Sequence, residues 1–249
     1  MKKLLFVSVI AVLFALGFVS NSWAVYLDLT THDSGTINGA LFSKIDQTGT
    51  GTGALNSFLR IQETGQGDGI EEGYNTDGIV QFDTKDDPHT HSLLLSSVPL
   101  VNINGTNYRE FILDGGEGGD KLVSLDEIQL QLHSFGDLTE YGTLFNAPLF
   151  DMDTSIIDGN STIKLSLKGN GQADMYAYIP DSLFTDSTAN PYLYFYSQFG
   201  ENITADGTFE EWAWATRDTT PPPPVPEPAT MTLLGLGLLG LASFRKRSK

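Results

Sequence analysis

Cysteine is absent from the 249 residues, so disulfide scaffolds, thiolate nucleophiles and Cys-ligated zinc or iron-sulfur centres are excluded together. Positive charge is nearly as scarce. Lys and Arg number 14 against 31 Asp and Glu, and six of the 14 (Lys2, Lys3, Arg245, Lys246, Arg247 and Lys249) lie at the two ends. Between Val25 and Pro228 eight basic residues face all 31 acidic ones, a net charge of −23. Such a body repels phosphate backbones and anionic lipid, which excludes nucleic acid as a partner and favours cations. Catalytic signatures are missing too: there is no Gly-x-Ser-x-Gly elbow, and no Ser/His/Asp set stands out among so many Ser and Asp. What remains is 40% hydrophobic and rich in Gly, enough to bury a core in one sizeable domain or two small ones.

The ends carry an address. Residues 1–24 open with Lys2-Lys3, run through an apolar stretch from Leu4 to Val19 and close on Ser22-Trp23-Ala24, the pattern of a secretory signal peptide cut before Val25 by signal peptidase after passage through the secretory translocon. At the other end, a Pro-rich spacer (219–228) leads into an apolar segment (229–244), and a basic tail (245–249) follows. The apolar segment is shorter than the ~20 residues of a comfortable transmembrane helix. With Arg245, Lys246 and Arg247 as a basic stop on the cytoplasmic side, it is expected to form a single transmembrane sorting helix that anchors the chain temporarily at the inner membrane. The prolines favour an extended spacer open to a protease.

Val225, Pro226, Glu227 and Pro228, the Gly/Leu-rich segment and the Arg/Lys tail together resemble the PEP-CTERM sorting signal of Gram-negative bacteria. The same kind of tail is also labelled an ice-binding-protein C-terminal segment, a name silent about the body. The resemblance implies export, membrane retention, cleavage near Pro226-Glu227-Pro228 by an exosortase, and release to the cell surface or exterior in cells that make exopolysaccharide or biofilm matrix. The body segments Tyr108–Asp114, Ser124–Gln129, Tyr194–Gly200 and Gly207–Trp212 also resemble those of other PEP-CTERM proteins.

The body (25–218) predicts an all-β ectodomain, a two-sheet β-sandwich of the jelly-roll kind with about ten short strands. In Thr162–Leu167, Ile163, Leu165 and Leu167 share one face; in Val123–His133, Ile128, Leu130 and Leu132 oppose Gln129, Gln131 and His133. Ser124 and Glu127 match a helix capping box, but the period of two that follows outweighs it. Asn104-Gly105 predicts a type I′ hairpin, and Asp206-Gly207 a reversal into Glu210–Trp214.

Candidate chemistry is acidic and aromatic. In the Gly-rich loop from Asp114 to Asp120, Asp114, Glu117 and Asp120 are candidate calcium ligands, with Asp126 and Glu127 near enough in sequence to complete a shell. A solvated acidic turn is an equal reading. Solvated loops are the better reading for Asp83, Asp86 and Asp87, for Asp151 and Asp153, and for Asp68, Glu71 and Glu72. His89 and His91 have the spacing of a zinc or copper pair, but a surface pair without metal is the stronger reading. Glu71 and Glu210 could serve as acid and base, as could many other pairs among 31 acidic residues. Tyr192, Tyr194 and Tyr196 alternate onto one face opposite Leu193 and Phe195, a candidate platform for stacking sugars; Trp212 and Trp214 are expected to fill the core. Together these features predict a non-enzymatic structural or adhesive protein of the cell surface or matrix. A calcium-assisted carbohydrate-binding module is the alternative, and a secreted polysaccharide-active enzyme the weakest reading.

Overall fold

Short runs of alternating apolar and polar residues can bury one side only by pairing into sheets, and the computed structural model is made almost wholly of strands. It describes residues 25–45, 55–63, 68–116, 121–153, 160–169 and 173–215. The strands are β1 (Tyr26–Asp28), β2 (Ser34–Ile37), β3 (Ala40–Lys44), β4 (Leu55–Ile61), β5 (Glu71–Tyr74), β6 (Leu93–Leu94), β7 (Leu100–Ile103), β8 (Thr106–Gly115), β9 (Lys121–His133), β10 (Phe150–Asp151), β11 (Thr162–Leu167), β12 (Met175–Pro180), β13 (Tyr192–Phe199) and β14 (Glu210–Ala215). A single-turn helix, α1 (Tyr141–Leu144), and two 3₁₀ turns complete the elements among the described residues. No helix among them is long and apolar enough to cross a membrane. The chain divides into units Met1–Thr216 and Arg217–Lys249; the second unit, with the sorting motif and apolar segment, lies outside the described residues, as does the signal peptide.

Two seven-stranded sheets form a sandwich. The first runs β1-β11-β9-β13-β5, with β10 beside β9 and β6 beside β13; the second runs β2-β3-β12-β8-β14-β4, with β7 beside β8. The β7–β8 hairpin turns at Asn104 and Gly105, with φ of 52° and 89°, as the Asn-Gly pair predicts. Ile163, Leu165 and Leu167 on β11 and Ile128, Leu130 and Leu132 on β9 all face the shared core. Its centre is aromatic: Phe195 of β13 meets Phe58, Phe111 and Trp212 of the second sheet at centroid distances of 5.7, 5.2 and 4.6 Å. Trp212 Nε1 donates to Ser197 Oγ at 2.9 Å, so the sheets are joined by a buried hydrogen bond as well as by rings. Trp214, two residues on, is only partly buried at the rim of the same core.

Between β5 and β6 the edge of β13 lacks a strand, and a side chain fills the place. Asn75 accepts from Phe195 N (2.7 Å) and donates to Leu193 O (3.0 Å), satisfying backbone groups that would otherwise be buried unpaired.

Replacing Trp212 with Ala is expected to cost about 3–5 kcal/mol of unfolding free energy, the usual price of a large buried aromatic. Trp212→Phe should cost less, since it keeps a ring and loses the bond to Ser197. Urea denaturation of both variants checks this; two unchanged midpoints would contradict a central role for this side chain.

Candidate functional site

The outer face of the first sheet carries a polar ladder whose position depends on one bulge. On β9 the buried apolar positions are odd at Val123 and Leu125 but even at Ile128, Leu130 and Leu132. The parity changes because Phe199 pairs with Leu125 while Gln198 pairs with Glu127, leaving Asp126 as the extra residue. Ser124 Oγ (2.6 Å), Glu201 N (2.7 Å) and Asn202 Nδ2 (2.8 Å) all donate to the Asp126 carboxylate and pin the bulge. Asp126 is thereby used up inside the fold. Glu127, Gln129 and Gln131 are turned outward, in register with Gln198, Tyr196 and Tyr194 of β13. Glu72 and Tyr74 of β5 extend the rungs on one side, and Asp151 of β10 pairs with Gln129 on the other.

Hydrogen bonds tie this floor together. Tyr196 Oη donates to Glu72 Oε2 at 2.5 Å and Gln198 Nε2 donates to the same oxygen at 3.3 Å. Tyr141 Oη donates to Gln129 Oε1 at 2.9 Å, and Gln129 Nε2 to Asp151 Oδ2 at 3.3 Å.

The tyrosine row is not the open platform its alternation suggests. Tyr194 and Tyr196 are only 1% and 4% exposed, because Leu138, Tyr141, Leu144 and Phe145 fold over them and make a second apolar cluster with Tyr74. Tyr192 is half-buried beside that cluster. Tyr194 Oη donates to Phe135 O and accepts from Leu138 N, both at 2.9 Å, which holds the covering segment down. Leu193 and Phe195 take the core, as expected.

The accessible rings are instead Phe82 and Tyr141. Phe82 is 51% exposed, yet its ring stands edge-on to Tyr141 (5.6 Å, 86°), Tyr196 (6.3 Å) and Tyr74 (6.4 Å). Its loop folds back onto β5: a Cβ on Gly73 would lie 2.2 Å from Thr84 Oγ1, so glycine permits the approach, and Asp83 N donates to Glu72 O at 3.0 Å. Gln81 Oε1 accepts from Tyr74 Oη (2.6 Å) and from Tyr141 N (3.3 Å), joining this loop to the covering segment. Phe82 sits at φ 57° and Glu140, just before α1, at φ 74°, a region that bulky side chains rarely enter.

The other candidates fall elsewhere. Asp114 closes β8 and is buried, 3% exposed; Glu117 and Asp120 lie outside the described residues. Beside Asp114, Asp174 accepts from Gly115 N and Lys168 N, both at 2.9 Å. Among the described residues no group of three His, Asp or Glu is placed to hold a metal ion. His91 Nδ1 bonds Ser92 O at 2.8 Å, while His89 faces Ser57 and Glu211, so the two imidazoles have separate partners. Asp87 is paired with Arg60 at 3.1 Å. Glu71 and Glu210 do meet, one from each sheet, but both are fully buried, and burial raises the Glu71 carboxyl against the lowering effect of its hydrogen bond with Glu210.

Few cations reach the acidic floor. The ion pairs among the described residues join Arg60, Arg109, Lys121 and Lys164 to carboxylates elsewhere, and none includes Glu72, Glu127, Asp151 or Asp153. Burial, reinforced by Asp151 and Asp153, pushes the Glu127 carboxyl up to about 9. Burial likewise raises Asp153 to about 6 and Asp174 to about 7. Because these folded-state values lie above the unfolded ones, the native state holds protons that the unfolded chain releases, and this stability is lost as pH rises through 6 to 9. The melting temperature is expected to fall by several degrees between pH 5 and pH 9, and Glu127→Gln should flatten the decline above pH 7. A melting temperature that rose over this range would contradict the arrangement.

Residues 224–247 match the PEP-CTERM protein-sorting motif, the segment whose order of Pro-Glu-Pro, apolar run and basic tail is described above. No curated protein and no solved structure matches the chain. What is matched is the address: the chain carries a PEP-CTERM protein-sorting motif, which implies export and processing by an exosortase.

Proposed function

We propose that the mature body is a non-enzymatic, adhesive protein of the cell surface or extracellular matrix, which follows the secretory route, pauses at the inner membrane, and joins exopolysaccharide once exosortase has removed the tail. The sorting motif at residues 224–247 is the observation that carries this reading. The charge of the body supports the adhesive part, since a net −23 keeps the protein soluble and makes its attachment to other polymers selective and cation-dependent. Calcium at Asp114, Glu117 and Asp120 is the proposed cation. The closeness of Asp114 to Asp174 supports it by setting two carboxyl groups at the base of that loop, and a bound cation would displace the proton that burial favours on Asp174. The half-buried acidic and aromatic face of the first sheet supports carbohydrate as the ligand class.

Fractionation of an exosortase-carrying host tests this reading. The wild-type chain should lose its apolar tail and be recovered from the matrix, and a calcium chelator should release it. Replacing Pro226, Glu227 and Pro228 with Ala should leave the uncut chain in the membrane fraction. Normal processing of the triple variant, or recovery of the cut protein wholly in the medium, would sink the assignment.

A further inference from the structure

One edge of the first sheet is left partly bare. β1 pairs with β11 only from Tyr26 and Thr162 to Asp28 and Lys164, and Leu29 N adds a last bond to Lys164 O at 3.0 Å. The chain then turns away, with Thr31 N and His32 N both donating to Asp28 O. From Leu165 onward no strand among the described residues flanks β11 on that side. In the second sheet β3 ends at Lys44, and Ile45 N donates to Asp174 O at 2.8 Å. Between these two ends lies a cavity of about 270 Å³. Leu29 and Leu165 make its apolar part, and Thr30, Ser166, Lys44, Lys168 and Asp174 supply its polar groups.

The charge of this lining is opposite to that of the body. Only eight basic residues lie between Val25 and Pro228, yet two of them, one from the end of each sheet, line this single cavity against one acid. Lys168 Nζ donates to Ile45 O at 2.6 Å, which fixes the ammonium with one of its three donors. Asp28 holds Thr30 by accepting from its backbone N at 2.9 Å and from its hydroxyl, and is itself matched by Lys164 Nζ at 3.1 Å. Its charge is therefore compensated within that wall.

Asp174 is 4% exposed and accepts from Gly115 N and Lys168 N. The charged groups around it are Asp114 of β8 and the two lysines that share the cavity. Burial, reinforced by Asp114, raises its carboxyl to about 7. Below that pH the lining holds two ammonium groups and a neutral acid; above it, one of the two positive charges is cancelled.

We infer that this cavity binds one sugar unit carrying a carboxylate, the end or side branch of an acidic polysaccharide. The inference rests on the adhesive reading and names its ligand. Lys44 and Lys168 match the two oxygens of a carboxylate, the hydroxyls of Thr30 and Ser166 suit those of the ring, and Leu29 and Leu165 suit its C-H face. The volume falls just below the ~300 Å³ at which pockets for drug-sized ligands begin, so it admits a single ring. Because the lining changes charge with Asp174, affinity for the anion falls as pH rises through 7.

The test is calorimetric titration of the full chain, held in detergent so that neither sorting nor processing is required, and in chelator so that calcium at the Asp114 loop takes no part. The probes are methyl glucuronide, methyl glucoside and inorganic sulfate, at pH 6 and at pH 8.5 with matched ionic strength. The glucuronide should bind at pH 6, the glucoside about tenfold more weakly, and sulfate more weakly than the glucuronide. Raising the pH should weaken the glucuronide several-fold, and Asp174→Asn should flatten that decline. Lys44→Gln, at the half-buried end of β3, should melt as wild type does and bind about tenfold more weakly. Equal affinity for glucuronide and glucoside, sulfate bound as tightly as the glucuronide, an affinity that rises with pH, or wild-type binding by Lys44→Gln would each overturn the inference. Such a failure leaves the sorted-adhesin reading to the fractionation experiment, which does not depend on this cavity.

Discussion

The packing of Trp212 against Phe195, with its hydrogen bond to Ser197, decides what the rest of the molecule can present. In a strand, successive side chains alternate between faces, so fixing Phe195 and Ser197 inward fixes Tyr194, Tyr196 and Gln198 outward. The register of β13 with β9 and β5 then brings Gln129, Glu127 and Glu72 onto the same face. A slip of one residue would put three tyrosine-rich positions into the core and bury a row of polar groups without partners. The acidic and aromatic face is thus a consequence of an interior contact made on its other side.

Charge is the second constraint. With eight basic residues between Val25 and Pro228, the fold places its cations where they join distant segments. Arg60 reaches Asp87 and Glu211 and lies 4.6 Å over the ring of Phe209; Arg109 bonds Asp181 at 2.7 Å together with the carbonyls of Leu95 and Val98. None of the pairs so formed serves the outer floor of the first sheet. Burial instead raises the Glu127, Asp151 and Asp153 carboxyls, which eases the repulsion among these three neighbours.

The strands were legible because their periodicity is strong: the faces of β9 and β11, the Asn-Gly hairpin and the reversal before β14 all follow from alternation and turn chemistry. The covering of Tyr194 and Tyr196 was not, since alternation distinguishes two faces but cannot say whether a later segment folds over one of them. A signal for the bulge was present. The apolar parity switches between Leu125 and Ile128, and the pair Asp126-Glu127 sits at the break, where an inserted residue would turn Glu127 outward. Phe82 left no signal at all, because a lone phenylalanine in a polar loop reads as a buried anchor, and only the three-dimensional course of the loop exposes it. The pairing of Glu71 with Glu210 was equally beyond sequence, since nothing local links residues on opposite sheets.

The register that the Trp212–Phe195 contact fixes can be measured directly by assigning the backbone resonances of the protein and reading nuclear Overhauser contacts between β13 and β9. Contacts should join Tyr194 to Gln131 and Tyr196 to Gln129, with Phe195 and Trp212 protected from exchange. Contacts displaced by one residue, or rapid exchange at Phe195, would contradict an outer face set by that interior contact.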